Sequence, residues 1–141
     1  MNYRWLIWSG TLELFVSSVL GLLLLIPMQP WGKNFLRMVK NPADLRSTHI
    51  DWLMLAFLQF AVAFGLSQME PSYEGWVVSL VIFGSWMNAT PYLVRGLWGI
   101  NAFSLSGDWK QVLSACLGLV SVASILTALL LLLIGWYPRL L

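Results

Sequence analysis

Four apolar stretches, Trp5–Pro27, Ile50–Met69, Trp76–Ile100 and Val112–Trp136, fill most of the chain, and short polar segments separate them. A helix rises about 1.5 Å per residue, so roughly 20 apolar residues cross about 30 Å of hydrocarbon. Lipid offers no hydrogen bonds to a free amide, so segments of this kind fold as helices. The pattern predicts an all-α fold, an integral membrane four-helix bundle. It forms one domain over 1–141, with helices over about residues 5–27, 42–69, 76–100 and 112–136. The second helix starts ahead of its apolar run because Asn41-Pro42-Ala43-Asp44 reads as a helix start. Asparagine suits the N-cap, proline the first helical position, and aspartate the positive end of the dipole. Ile26-Pro27 closes the first helix, since a residue before proline is pushed out of the α region. Pro71 and Gly75 punctuate the next short turn, which makes helices two and three an antiparallel hairpin.

Composition changes the picture only by exclusion. Hydrophobic residues make up 59% and charged residues 10%, and a net charge of +2 is too small to suggest a nucleic-acid partner. The single cysteine, Cys116, rules out an intrachain disulfide and reads as a small apolar residue. A cleavable signal peptide is not expected, because the first run exceeds the roughly 7–15 apolar residues of such a segment and lacks a strongly basic start. Eight of the nine tryptophans sit near run ends, as interfacial belts require; Trp86 is the exception.

Basic residues set the orientation. Lys33, Arg37, Lys40 and Arg46 fall between the first two spans, and Lys110 and Arg95 near the last connection. The middle connection carries Glu70 and Glu74 and no basic residue. The positive-inside rule then puts the first and third connections in the cytoplasm and both termini outside, with the inner membrane of a bacterial cell as the expected location. Met28–Lys40 mixes Trp31, Phe35, Leu36, Met38 and Val39 with basic residues, which reads as a segment lying on the membrane surface.

Polar groups inside the spans are expensive and mark structure or function. Glu13 lies about two turns into the first span; it either pairs across the bundle, with Gln59 as one partner, or contacts a proton or substrate. Gly10, Ser17, Ser18 and Gly21 are small enough for another helix to approach closely. At about 100° per residue, Asn88, Tyr92 and Arg95 fall on one stripe of the third span, and Pro91 can bend the helix there. His49 lies at the rim of the second span, with Trp52, Leu53, Ala56 and Phe60 continuing its face. Either headgroups solvate it or it serves as a ligand. Asp51 points about 200° away, so its expected partners are Arg46, Arg95 or solvent. With Cys116 far off, His49 cannot build a zinc site, but one imidazole suits a metal whose other ligands come from a porphyrin.

The chain resembles the styrene oxide isomerases and the related hydroxylaminobenzene mutases. The likeness covers size, four spans and the histidine of the second span, His49, preceded by Arg46. It is sharpest in Trp86-Met87-Asn88-Ala89-Thr90-Pro91-Tyr92, similar to the family's W-x-N-x-x-x-Y. The resemblance implies a homotrimer binding haem b between neighbouring subunits, with His49 as the axial ligand. It implies a small lipophilic substrate, an epoxide or arylhydroxylamine, rearranged by ferric iron acting as a Lewis acid, with an epoxide opening to an aldehyde. Tyr92 and Asn88 then position the substrate, while Arg95, Arg46 and Arg37 are candidates for the haem propionates. The chain departs from the family pattern at Leu55, where an asparagine is usual, and at Gly84, where the isomerases carry an acid. The likeness therefore carries haem binding further than styrene oxide isomerisation. The alternative is a non-catalytic membrane haem protein for redox, gas-sensing or haem-handling work; a haem-free assembly or transport subunit is a third reading.

Overall fold

Asn41 begins the second span as its sequence suggests: its side-chain oxygen accepts the Ala43 amide at 3.2 Å, and the helix starts at Pro42. In the computed structural model the elements are α1 (Arg4–Leu23), a 3-10 turn (Ile26–Met28), α2 (Pro42–Met69), α3 (Glu74–Asn88), α4 (Thr90–Trp98) and α5 (Trp109–Leu140). The structure describes every residue except Met1, Trp31, residues 33–38, Glu70, Ala102, Ser106 and Leu141, and leaves out the side chains of Met28, Arg139 and Leu140. Most of the expected surface segment between the first two spans, and Arg37 with it, lies outside the described residues. Among the described residues there is no strand. Four helices are long and apolar enough to cross a membrane, with α3 and α4 together making one span, Glu74–Trp98. The chain is an all-α membrane protein.

The last helix is longer than expected at both ends, Trp109–Leu140 against 112–136, and two other differences have clear physical reasons. The first α-helix stops at Leu23, short of Pro27. Proline has no amide to return to Leu23, so the chain tightens beforehand, with the Leu25 amide bonding Leu22 O at 3.1 Å. The third span breaks at Ala89, two residues before Pro91, and this splits the Asn88–Tyr92–Arg95 stripe between two short helices.

The helices alternate in direction, so the bundle has two unlike ends. At one end Leu6, Val62, Leu66, Val77, Val81 and Ala128 form an apolar core. Tyr73 closes it by donating to Leu131 O at 3.1 Å. Glu74 accepts the Tyr3 amide at 2.6 Å at the same end. The opposite end is held by polar contacts. The amides of Lys40 and Asn41 both bond Gly96 O at 3.0 Å. Arg95 grips Asp44 through Nε, at 2.6 Å, and through Nη2. This removes Arg95 from the alternatives expected for Asp51, which were Arg46, Arg95 or solvent. Asp44 lies in the first turn of α2, beside the returning end of α4, and reaches the guanidinium first.

Between the ends, α1 and α2 lie against each other along Gly10, Glu13, Ser17 and Gly21. A methyl group on Gly10 would stand 3.1 Å from Ala56 O. Glu13 and Gln59 are both fully buried, and Gln59 Nε2 donates to Glu13 Oε2 at 2.5 Å. Ser18 instead faces outward and bonds Leu14 O within its own helix. Trp86 ties three helices together: its Nε1 donates to Ser9 Oγ at 3.0 Å, and its carbonyl accepts from Trp52 Nε1 at 3.4 Å.

The Asp44–Arg95 pair is asymmetric, with Asp44 4% and Arg95 37% exposed. Removing the arginine strands a buried carboxylate, whereas removing the aspartate leaves a guanidinium that can reach water. Arg95→Ala is therefore expected to lower stability by about 1–3 kcal/mol, more than Asp44→Ala does, after allowing for partial exposure. Thermal unfolding of both variants in one detergent checks the order.

Candidate functional site

The imidazole of His49 is held on one nitrogen. Nδ1 lies 2.8 Å from the Ser17 carbonyl oxygen and 2.9 Å from Ser17 Oγ. The Ser17 hydroxyl spends its proton on the His49 carbonyl at 2.7 Å. The bonding network thus assigns the proton of the neutral ring to Nδ1, which donates to the Ser17 carbonyl, and leaves the lone pair on Nε2. Among the described residues nothing bonds Nε2. Gly21 provides the floor beneath the ring: a methyl group there would sit 2.8 Å from Cε1 and 3.1 Å from Nε2.

A ring fixed through Nδ1–H to a backbone carbonyl, with Nε2 unbonded, is the arrangement that orients a histidine toward a metal. Among the described residues no three His, Cys, Asp or Glu side chains come together as a metal cage. The imidazole can therefore supply one ligand and only one. Haem, which brings four nitrogens of its own, fits that donor set.

Asn88 and Tyr92 line a separate cavity of about 480 Å³ between α2, α4 and α5. Asp51 enters its wall from α2, and Pro91, Phe103 and Leu119 are among its apolar lining. The break at Ala89 positions these groups. It turns α4 so that the Tyr92 ring stacks edge-on against Phe103, with centroids 5.0 Å apart. Ser121 Oγ of α5 gives its proton to Gly118 O at 2.6 Å and stands 3.4 Å from Asn88 Oδ1. Tyr92 Oη has no hydrogen-bond partner among the described residues.

The predicted residues thus fall into two groups. Asn88 and Tyr92 share a cavity, whereas His49 faces α1 on the other side of α2. Arg95 sits over the rings of Tyr92 and Phe103, at 5.9 and 5.0 Å from their centroids, with Asp44 as its ion-pair partner. Arg46 is exposed at the start of α2. At Gly84 a methyl group would meet Ile125 at 2.5 Å and Ser121 O at 3.0 Å, so no acidic side chain fits there without moving α5.

Three contributors escaped the sequence reading. Ser17 registers there only as a small residue, and its role as the anchor of Nδ1 depends on how α1 and α2 align. Asp44 reads as a helix-start residue, which it is, but it is also the partner of Arg95. Phe103 lies in a connection with no periodicity to mark it.

The sequence model of the styrene oxide isomerase family matches residues 2–137, nearly the whole chain. No curated protein and no solved structure matches it. The match takes in both the His49 anchor on α1 and α2 and the Asn88–Tyr92 cavity. The chain belongs to the styrene oxide isomerase family.

Proposed function

We propose that this protein is a haem b-dependent membrane isomerase acting on a small lipophilic epoxide or arylhydroxylamine, with His49 as the single protein ligand to the iron. The observation that carries the reading is the imidazole itself: Nδ1 is fixed by Ser17, and Nε2 is left without a partner. Family membership supports an isomerase of the styrene oxide type. When bound, ferric haem supplies a Lewis acid that polarises the substrate oxygen without moving a proton through lipid. Tyr92 offers an O–H donor to that oxygen, Asn88 offers an N–H, and the apolar walls around them exclude water and strengthen both contacts. Arg46 is an exposed cation able to meet a propionate, and Arg95 can add one of its remaining N–H groups.

Within one protomer His49 and the cavity lie on opposite sides of α2. A homotrimer with haem at each junction removes that separation, because His49 then works with Tyr92 of the partner subunit. Should the two never meet, the protein is a haem-binding module without catalysis, which is the second reading that this separation favours. In the proposed orientation the end carrying Lys40, Arg46 and Lys110 faces the cytoplasm of a bacterial cell.

Protein purified in detergent from haem-replete cells is expected to be red, with a Soret band that His49→Ala abolishes. Gly21→Leu, which drives a side chain into the ring, should lower haem content nearly as far while leaving the helical signal intact. Colourless wild-type protein overturns both haem readings. Tyr92→Phe is expected to lower turnover by about 10²-fold, the usual loss for one donor to a developing oxyanion, with haem content unchanged. Co-assembled His49→Ala and Tyr92→Phe chains should regain activity that neither has alone; no recovery rejects the shared site.

A further inference from the structure

Asp51 is a polar group that the proposed reaction leaves unused. It lines the same cavity as Asn88 and Tyr92, and no residue among those described pairs with it. Arg95, one of its expected partners, is bound on two of its nitrogens by Asp44. A bare carboxylate against an apolar wall costs free energy unless something charged or hydrogen-bonding comes to it. The rest of the cavity shows what that is. Asn88 and Tyr92 add two neutral oxygen acceptors; Ser121 Oγ stands 3.4 Å from Asn88 Oδ1, but its proton goes to Gly118 O. Leu105, Leu119 and Val122 line the cavity with hydrocarbon.

Access fits as well. The 28 residues of α2 rise about 42 Å, some 12 Å more than a bilayer core. The charged residues Asp44 and Arg46 place that excess at the start of the helix. Asp51, about 10 Å beyond Asp44 along the axis, stands at the rim, where a charged head arrives from water while its tail enters lipid. An ammonium group has three N–H donors, which match the three oxygens that Asp51, Asn88 and Tyr92 bring to the cavity.

We infer that the Asp51–Asn88–Tyr92 cavity binds small lipophilic ammonium ions, with Asp51 as counter-ion and the hydrocarbon wall taking the tail. The inference deepens the substrate-cavity assignment above but uses neither His49 nor haem, so it stands or falls separately from the iron-ligand reading.

The test is calorimetric titration of the detergent-solubilised holoprotein with 2-phenylethylammonium and with its uncharged analogue, 2-phenylethanol. Wild-type protein should bind the ammonium ion at least tenfold more tightly than the alcohol. Asp51→Asn, nearly identical in shape, should remove that preference, and Asp51→Glu should keep part of it. Asp51→Asn should keep the haem content of wild type, and titration of wild type should not give the Soret shift of an amine ligating iron. Equal binding of the two probes by wild type, or a preference that survives Asp51→Asn, overturns the inference. So does a Soret shift, because the amine then sits on iron.

Discussion

The close approach of α1 and α2 is the constraint on which the rest of the molecule depends. In lipid there is no hydrophobic gain from burying one helix against another, so association rests on contact distance and on hydrogen bonds between helices. The seam Gly10, Glu13, Ser17 and Gly21 supplies both. Its two glycines let backbones and rings come within touching distance of Ala56 and His49. Its two polar residues find partners across the gap, Gln59 and His49. The same geometry decides the chemistry of the histidine. Had α1 stood a methyl group farther away, Nδ1 would lose the Ser17 carbonyl, and nothing would choose which nitrogen carries the proton.

At the cytoplasm-facing end of the proposed topology, stability is polar and directional. Asp44 does two things there: it meets the positive end of the α2 dipole, and it binds Arg95 through two nitrogens. The second contact fixes α4, which Pro91 has freed from α3. Tyr92 and Asn88 thus owe their position to a break in one helix and an ion pair on another. The opposite end of the bundle is closed by its apolar core instead. The candidate residues Asn88 and Tyr92 thus lie toward the end that polar contacts hold.

The division between what the sequence reveals and what it hides follows from range. Span number, the start of α2 and the bend at Pro91 come from local chemistry: run length, an N-cap asparagine and a missing amide. Each of these is legible in a few consecutive residues. The Asn88–Tyr92 pairing is legible too, because four residues make about one helical turn. Ser17 beneath His49, Asp44 beneath Arg95 and Phe103 against Tyr92 are separated by 32 and 51 residues in the first two cases, and the third crosses an irregular connection. No periodicity links such pairs; the register between helices does. Asp51 shows the limit most plainly. Its direction, about 200° from His49, follows from the helix angle alone, yet what it faces depends on where α4 and α5 dock.

That 200° separation has a consequence for how any reaction here must be arranged. A helix with its side chains is about 10–12 Å across, so groups on opposite faces of α2 cannot act on one atom. His49 looks toward α1, and Asp51, Asn88 and Tyr92 surround the cavity on the other side. If iron on His49 and the hydroxyl of Tyr92 are to touch the same substrate oxygen, they must belong to different copies of the chain. The faces involved suit that demand. Gly21 and His49 are half-buried rather than sealed in the bundle, and the exposed Leu119 and Val122 of α5 border the cavity. Under the proposed function oligomerisation is a condition of the chemistry, because one protomer holds His49 and the Asn88–Tyr92 cavity on opposite sides of α2.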